Sequence, residues 1–373
     1  MKKQGVYITS YDLQNQSDGV SKKIIYQIDC FKRNGFDVIE YDSNSMKYTL
    51  KTALGILVEK IFGYSYTSSN LLNVLSKEKT GKIDFVYIRK DFCNKKQIDA
   101  LCRIRYNNPD VKILVEYPTY PYDEEIRGRR KIFALPIDKK NRDKMKNYID
   151  RAVTFSDDKI LFGTKCLNIS NAIDYSKVKI REIIQHDGIN LVAVALFGSF
   201  HGYDRLIKSM GENRKIVEEH KIRLHLVGDG YAIKEYKDLV KYYHLENYVV
   251  FYGRLYGDKL DEVYNISDIA VDTLGRHRVG CFYNSSLKGK EYGAKGLPII
   301  SGVKTDLDRY NEDFYYRVPA DESLIDMRCI VDFYQKIYTN RDAVDVAERI
   351  RETTSSYFNF DVAFKPVIDY LKE

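Results

Sequence analysis

No long hydrophobic run occurs in this 373-residue chain: the longest unbroken one, Leu191 to Phe197, falls far short of the roughly 18 to 20 apolar residues that a membrane-crossing helix needs. The opening residues are Lys2-Lys3-Gln4 and then a Val6-Tyr7-Ile8 stretch too brief for a signal-peptide core, so no secretion is expected. Six cysteines are scattered, with no C-x-x-C pair and no histidine at ligand spacing, which argues for reduced thiols and against a zinc site or a disulfide framework. The seven prolines form no linker, and there is no repeat or low-complexity tract. Also missing is G-x-G-x-x-G: Gly19 is the single loop glycine before the first helix. Glu40, about twenty residues on, stands where a ribose-binding acid would, but without the glycines a nicotinamide enzyme is set aside.

What is present is a globular composition, 44% hydrophobic and 30% charged, of a length that suggests two domains. The formal charge is +7, and residues 127–147 alone hold nine basic and two acidic residues. That segment is either a solvated face or a surface for anionic lipid headgroups or a diphosphate-bearing substrate. Nucleic acid is not expected, because no recognised binding module accompanies the charge.

Strand-like and helix-like segments alternate. The first half predicts strands at Val6–Tyr11, Phe36–Tyr41, Phe85–Arg89 and Lys112–Glu116. A helix is predicted around Val20, Ile24, Ile25, Ile28 and Phe31, and another over Lys95–Asn107. The second half predicts strands at Leu191–Phe197, Ile222–Val227, Val249–Tyr252, Ile269–Asp272 and Leu297–Ser301. Between them fall helices at Tyr203–Asn213, Ala232–Tyr243, Asp258–Asn265 and Leu287–Lys295. Such alternation implies doubly wound parallel sheets, which bind ligands beyond the carboxyl ends of their strands. Two further helices, Arg341–Ser355 and Asp361–Leu371, close the chain.

Gly228-Asp229-Gly230 ends one strand, where it either makes a tight turn or lets backbone approach a phosphate. The richest stretch is Gly280 to Gly302. Ser286 is an N-cap candidate, and the helix it starts would offer unpaired N–H groups to a diphosphate, with Lys288 adding a full charge. Glu291, one turn on, would face the same side and accept from ribose hydroxyls. The competing reading is a surface helix with ion pairs among Lys288, Glu291 and Lys295.

Several segments, in order, resemble retaining glycosyltransferases of family 4: LFGSFHGYDRLI, LHLVGDG, VVFYGRL, ISDIAVDTL and KEYGAKGLPII. Asn171-Ala172-Ile173-Asp174 is similar to the segment leading between that family's domains, and FNF near the C-terminus to the one before its final helix. The resemblance implies an α/β protein of two Rossmann-like doubly wound domains facing a cleft (the GT-B arrangement). The acceptor-binding domain would span 1–176, with a final helix over about 357–373 packing back on it, and the nucleotide-sugar domain 177–356.

By position, Glu291 matches the second glutamate of the family's E-x7-E motif, expected on ribose. The first is replaced by Tyr283, so Tyr283 or Asn284 would have to meet the transferred sugar. The diphosphate-binding Gly-Arg and Lys-Gly pairs correspond to Gly198-Ser199 and His201-Gly202, leaving Lys288, Arg276 or Arg278 to supply cations. Gly253-Arg254-Leu255 matches the nucleobase segment. The donor set is thus Gly19, Ser199, Gly202, Gly228, Arg254, Leu255, Arg276, Arg278 and Tyr283 to Leu287 (Asn284, Ser285 and Ser286 included), with His201, Lys288 and Glu291 at the reacting end. His201 is read either as a helix-start residue or as a phosphate donor.

Glu116, Tyr120, Tyr122, Asp123 and Glu124, on a proline-tyrosine segment after a strand, suit a sugar acceptor, or else form a rigid loop packed on its own domain. The implied activity is transfer of a sugar from a nucleotide diphosphate sugar, UDP favoured over GDP, to a saccharide acceptor, free or lipid-linked, in bacterial polysaccharide or glycan synthesis. Neither a metal nor a cofactor is implied. The protein would be cytoplasmic, with 127–147 as the part that could rest on the inner membrane face. Two alternatives are a non-catalytic partner subunit of the same fold and a nucleotide-sugar epimerase.

Overall fold

The computed structural model of the chain describes residues 2–15, 19–78 and 82–373. Its backbone divides into two compact units, 1–170 together with 360–373, and 171–359.

The first unit runs β1 (Gln4–Ile8), α1 (Gly19–Arg33), β2 (Asp37–Tyr41), α2 (Leu50–Phe62), α3 (Tyr66–Leu75), β3 (Phe85–Arg89) and α4 (Lys95–Asn107). It continues with β4 (Lys112–Tyr117), α5 (Gly128–Asn141), β5 (Arg151–Thr154), β6 (Ile160–Leu161) and β7 (Thr164–Asn168). The strands form a seven-stranded sheet in the order β2-β1-β3-β4-β5-β7-β6, parallel except for the β6–β7 pair. Strand β3 is buried at every residue, as a strand covered by helices on both faces must be. Helix α1 buries Ile24, Ile28 and Phe31, three of the five apolar residues whose spacing predicts it.

The second unit runs β8 (Asn190–Leu196), α6 (Tyr203–Glu212), α7 (Arg214–Glu219), β9 (Arg223–Asp229), α8 (Ile233–Tyr242), β10 (Val249–Gly253), α9 (Asp258–Asn265) and β11 (Ile269–Val271). Then come α10 (Leu287–Ala294), β12 (Ile299–Ser301), β13 (Tyr315–Arg317), α11 (Met327–Tyr338) and α12 (Ala343–Phe358). All six strands are parallel, in the order β10-β9-β8-β11-β12-β13. Renumbered within the unit, that is 3-2-1-4-5-6, a doubly wound order whose direction reverses between β8 and β11.

The predicted last helix is two pieces, α13 (Phe360–Ala363) and α14 (Lys365–Lys372), because Pro366 sits in the first turn of α14, where its missing N–H costs least. Both belong to the first unit. Phe364 meets Phe31 edge-on at 5.2 Å, and Lys3 Nζ donates to the Leu371 carbonyl at 2.6 Å.

Candidate functional site

At the β8/β11 switch point, the loop after β8 and the loop after β11 are tied together. The Leu274 N–H donates to the His201 carbonyl at 2.7 Å. Gly202 sits at φ +69°, and a Cβ there would lie 2.5 Å from the Gly275 nitrogen, so a side chain would part the loops.

Helix α10 starts beside them. Ser286 caps it: its Oγ accepts from the Gly289 N–H at 2.9 Å and donates to Asp272 Oδ2, just past β11, at 2.7 Å. Among the described residues none accepts from the N–H groups of Leu287 and Lys288. The Lys288 ammonium lies 3.5 Å from Asp272 and donates to Thr273 Oγ1 at 3.3 Å, with its side chain still 23% exposed. Burial lowers its pKa, against the pull of Asp272.

His201 is buried, and its Nδ1 accepts from the Gly198 N–H at 3.0 Å, which assigns the proton to Nε2. Burial, with the charges of Lys288 and Arg276 adding to it, pushes its pKa down to about 2. The imidazole is therefore neutral at ordinary pH, so any phosphate it meets would be met by a neutral N–H donor. Arg276 lies over the Phe200 ring at 4.8 Å. Two backbone N–H groups, an ammonium, a guanidinium and an imidazole N–H thus surround one end of the sheet, a donor set suited to a diphosphate.

Glu291, one turn along α10, is half-buried, and its Oε1 accepts from Tyr264 Oη at 3.1 Å. Burial raises its pKa. Tyr283 is 9% exposed and packs beside Lys304 and Arg309, whose charges lie 5.8 and 5.6 Å from its ring centre. Asn284 donates its backbone N–H to the Lys304 carbonyl at 2.8 Å. Ser285 is committed internally: its Oγ donates to Asp306 at 2.5 Å and accepts from the Asn171 N–H at 2.8 Å.

Arg278 is committed as well. It pairs with Asp204 at 2.8 Å and Glu322 at 2.6 Å and donates to the Ser199 carbonyl at 2.7 Å, so two carboxylates hold its guanidinium. Ser199 in turn takes the Tyr231 hydroxyl at 3.0 Å on its N–H. Gly228 is explained by packing, since a Cβ there would stand 1.9 Å from the Ala195 carbonyl oxygen of the neighbouring strand. Arg254 is exposed, 3.6 Å from Asp229, and Leu255 packs against the core at the carboxyl end of β10.

In the first unit Glu116 is wholly buried and does not present itself to an acceptor from solvent. It accepts from Tyr87 Oη at 2.6 Å and Gln27 Nε2 at 2.8 Å, pairs with Arg89, and has Lys23 at 3.8 Å. Burial alone would raise its pKa, but Lys23, Arg89 and these hydrogen bonds hold it below the carboxylate range. Lys23, depressed chiefly by burial, falls to about 7.

Tyr120 packs on Phe162. Tyr122 donates to Asp138 at 2.5 Å, Asp123 pairs with Arg142 at 2.6 Å, and Glu124 is exposed with Lys131 at 3.5 Å. Beside them Tyr117, Thr119, Tyr122 and Lys90 line a cavity of about 190 Å³. Gly19 begins α1, and residues 16–18 of the polar loop before it lie outside the described residues. Among the described residues no three His, Cys, Asp or Glu side chains group to hold a metal, and no helix is long and apolar enough to cross a membrane.

Sequence reading missed Asp272, which orients both Ser286 and Lys288, and the buried Lys290–Asp306 pair beneath the α10 start. A lysine two residues from the half-buried Lys288 gives no signal in the sequence that it points inward. A search of family models matches residues 177–277 to glycosyl transferases group 1. That match lies within the second unit. No curated protein matches the chain. Among solved structures, it is similar to the sucrose-phosphate synthase of Thermosynechococcus elongatus, with 13% identity over 100% of this chain and 99% of that one and a TM-score of 0.66. It also resembles HepE of Anabaena, solved with UDP and glucose, with 11% identity over 100% of both chains and a TM-score of 0.58. A third is the lipopolysaccharide outer core galactosyltransferase WaaB in its apo form, with 12% identity over 99% of this chain and 100% of that one and a TM-score of 0.58. The two parallel sheets are those of the GT-B glycosyltransferase fold.

Proposed function

We propose that the protein is a retaining glycosyltransferase of family 4 type that moves a sugar from a nucleotide diphosphate sugar, with UDP favoured over GDP, to a saccharide acceptor. The observation that carries this reading is the convergence of the Leu287 and Lys288 amides, the Lys288 ammonium, Arg276 and His201 Nε2–H at the switch point of the second sheet. As the bond from sugar to diphosphate breaks, negative charge grows on the departing phosphate oxygens. Donors already aimed there stabilise that charge without reorganising. The departing diphosphate then takes the acceptor hydroxyl's proton, so no protein nucleophile is needed.

Glu291 would hold the ribose hydroxyls, the Gly253–Leu255 turn the base, and Tyr283 with Asn284 the sugar. Tyr120, Tyr122, Asp123 and Glu124 would face the acceptor, and the buried Glu116 would set the loop that carries them. We further propose a lipid-linked acceptor in bacterial polysaccharide or glycan synthesis, work at the inner membrane face, and activity that survives EDTA.

A thermal-shift panel of UDP, GDP, ADP and their sugars tests the donor assignment. Ligand at about 100 times its dissociation constant adds roughly 2.7 kcal/mol of stability. UDP compounds should shift the transition most, and a panel with no shift for any nucleotide removes the reading. One observation favours a second reading, a non-catalytic partner subunit: Tyr283 occupies the position of the family's first glutamate and is itself buried. Release of UDP from a UDP-sugar separates the two, since a pure binding subunit releases none.

A further inference from the structure

The first unit contains a second cavity, lined by none of the residues assigned above to donor or acceptor. It measures about 550 Å³ and lies among α2, the start of α3, the start of α4 and the end of α5. Val58, Tyr64, Tyr66 and Ile137 give it an apolar wall. Around it stand Lys95 and Lys96 from the first turn of α4, and Lys140 and Lys144 from the end of α5 and just beyond. Among the described residues no aspartate or glutamate lines it. Four lysines with no carboxylate among them make the mouth of this space attractive to an anion.

Ser65 is an independent sign of a ligand. It lines this cavity, is 2% exposed, and its Oγ has no hydrogen-bond partner. Standing just before α3, it would ordinarily cap that helix. Glu59 of α2 takes that role instead, accepting from the Thr67 N–H at 3.1 Å and its hydroxyl at 2.5 Å. The Ser65 hydroxyl is therefore left buried and unused, a standing penalty that a ligand oxygen would remove.

Helix α2 supplies the third observation. Leu50, Leu54 and Leu57 recur at helical spacing and are 91%, 61% and 51% exposed, while Val58 of the same helix lines the cavity. Tyr48, 86% exposed, and Ile132 of α5, 67% exposed, add to the apolar surface. Single exposed leucines are ordinary, but an apolar stripe flanked by lysines is what an interfacial helix presents to a bilayer.

We propose that this cavity binds the phosphate headgroup of an anionic lipid, with the α2 leucine stripe entering the bilayer beside it. The site uses none of the residues assigned above to the donor or the acceptor, so its test can fail or succeed separately from the sugar-transfer reading. It also differs from a diffuse attraction of segment 127–147 to membranes, since it requires Ser65, Lys95 and the α2 stripe, all outside that segment.

The test is vesicle sedimentation of the full chain, with phosphatidylcholine alone and with about one-third phosphatidylglycerol. The protein should pellet with the anionic vesicles only. The triple variant Lys95→Gln/Lys140→Gln/Lys144→Gln should bind on the order of a hundredfold more weakly, while the same three changes to Arg retain binding. Ser65→Ala and the pair Leu54→Ser/Leu57→Ser should each weaken it, with urea midpoints near wild type. Arg129→Gln/Lys131→Gln, on α5 but outside the cavity, should change it little. Equal pelleting with both vesicles, no pelleting with either, or an undiminished triple variant would overturn the site. So would a loss for Arg129→Gln/Lys131→Gln as large as for the triple variant, or displacement from vesicles by an equal concentration of inorganic phosphate.

Discussion

Lys290→Met tests how the start of α10 is held. The Lys290 and Asp306 side chains are 2% and 1% exposed and paired. Asp306 also takes the Ser285 hydroxyl, Ser285 takes the Asn171 N–H, and the Lys290 ammonium lies 3.9 Å from the centre of the Phe358 ring. Methionine keeps most of the volume and removes the charge, leaving Asp306 buried without its cation. Breaking a buried pair from one side costs about 3–5 kcal/mol. At about 2–4 °C per kcal/mol for a unit of this size, the second unit's transition should fall by on the order of 10 °C in calorimetry.

The two partners should not be equivalent. Burial already lowers the pKa of Lys290, so in Asp306→Leu the lysine can shed its proton and escape part of the penalty. Asp306→Leu should therefore cost less than Lys290→Met, and the double variant less than the sum of the two. A cost below about 1 kcal/mol for Lys290→Met, or strict additivity in the double variant, would refute the argument.

Three further outcomes follow from the same geometry. His201 has a folded pKa near 2 against an ordinary value of 6.5, so below pH 6.5 the unfolded chain binds a proton that the folded chain refuses. Stability should be full above pH 6.5 and fall by about 1.4 kcal/mol per pH unit below it, a slope that urea titrations should find reduced in His201→Asn. Glu116→Gln strands Lys23 and Arg89 without their counter-charge, costing about 3–5 kcal/mol. Its deficit should widen as pH falls below about 7, where wild-type Lys23 takes up its proton; a pH-independent deficit would place the charge elsewhere. Lys288→Met should weaken UDP by about tenfold in calorimetric titration and leave uridine affinity unchanged; equal losses for both would remove the phosphate role.

The fold was legible where periodicity and length agree. Strand β3 and helices α4 and α9 lie on the boundaries their sequences predict, because buried apolar runs and 3.6-residue spacing have few competing readings. Helices α2 and α3 were not anticipated. The α3 sequence YTSSNLLNVL carries Thr, Ser, Ser and Asn right after its opening Tyr66, residues that also favour loops, and the exposed leucines of α2 blur any single buried face. Helix α5 carries Pro136 inside it, which reads as a break.

In the candidate site, the cap at Ser286 could be read from local spacing. The commitment of Arg278 could not, since Asp204 and Glu322 lie 74 and 44 residues away. The buried charges Glu116 and Lys290 were equally opaque, because their partners come from other elements of the sheet-and-helix packing. Charge identity shows in a sequence, whereas the pairing that neutralises it is a tertiary fact.

The central claim is that the second unit grips a nucleotide's diphosphate at the α10 start, and a crystal soaked with UDP tests it most directly. The account predicts phosphate oxygens on the N–H groups of Leu287 and Lys288 and within reach of His201 Nε2, with the ribose at Glu291. UDP bound anywhere else, or an α10 start that stays filled by its own side chains at saturating nucleotide, would contradict it.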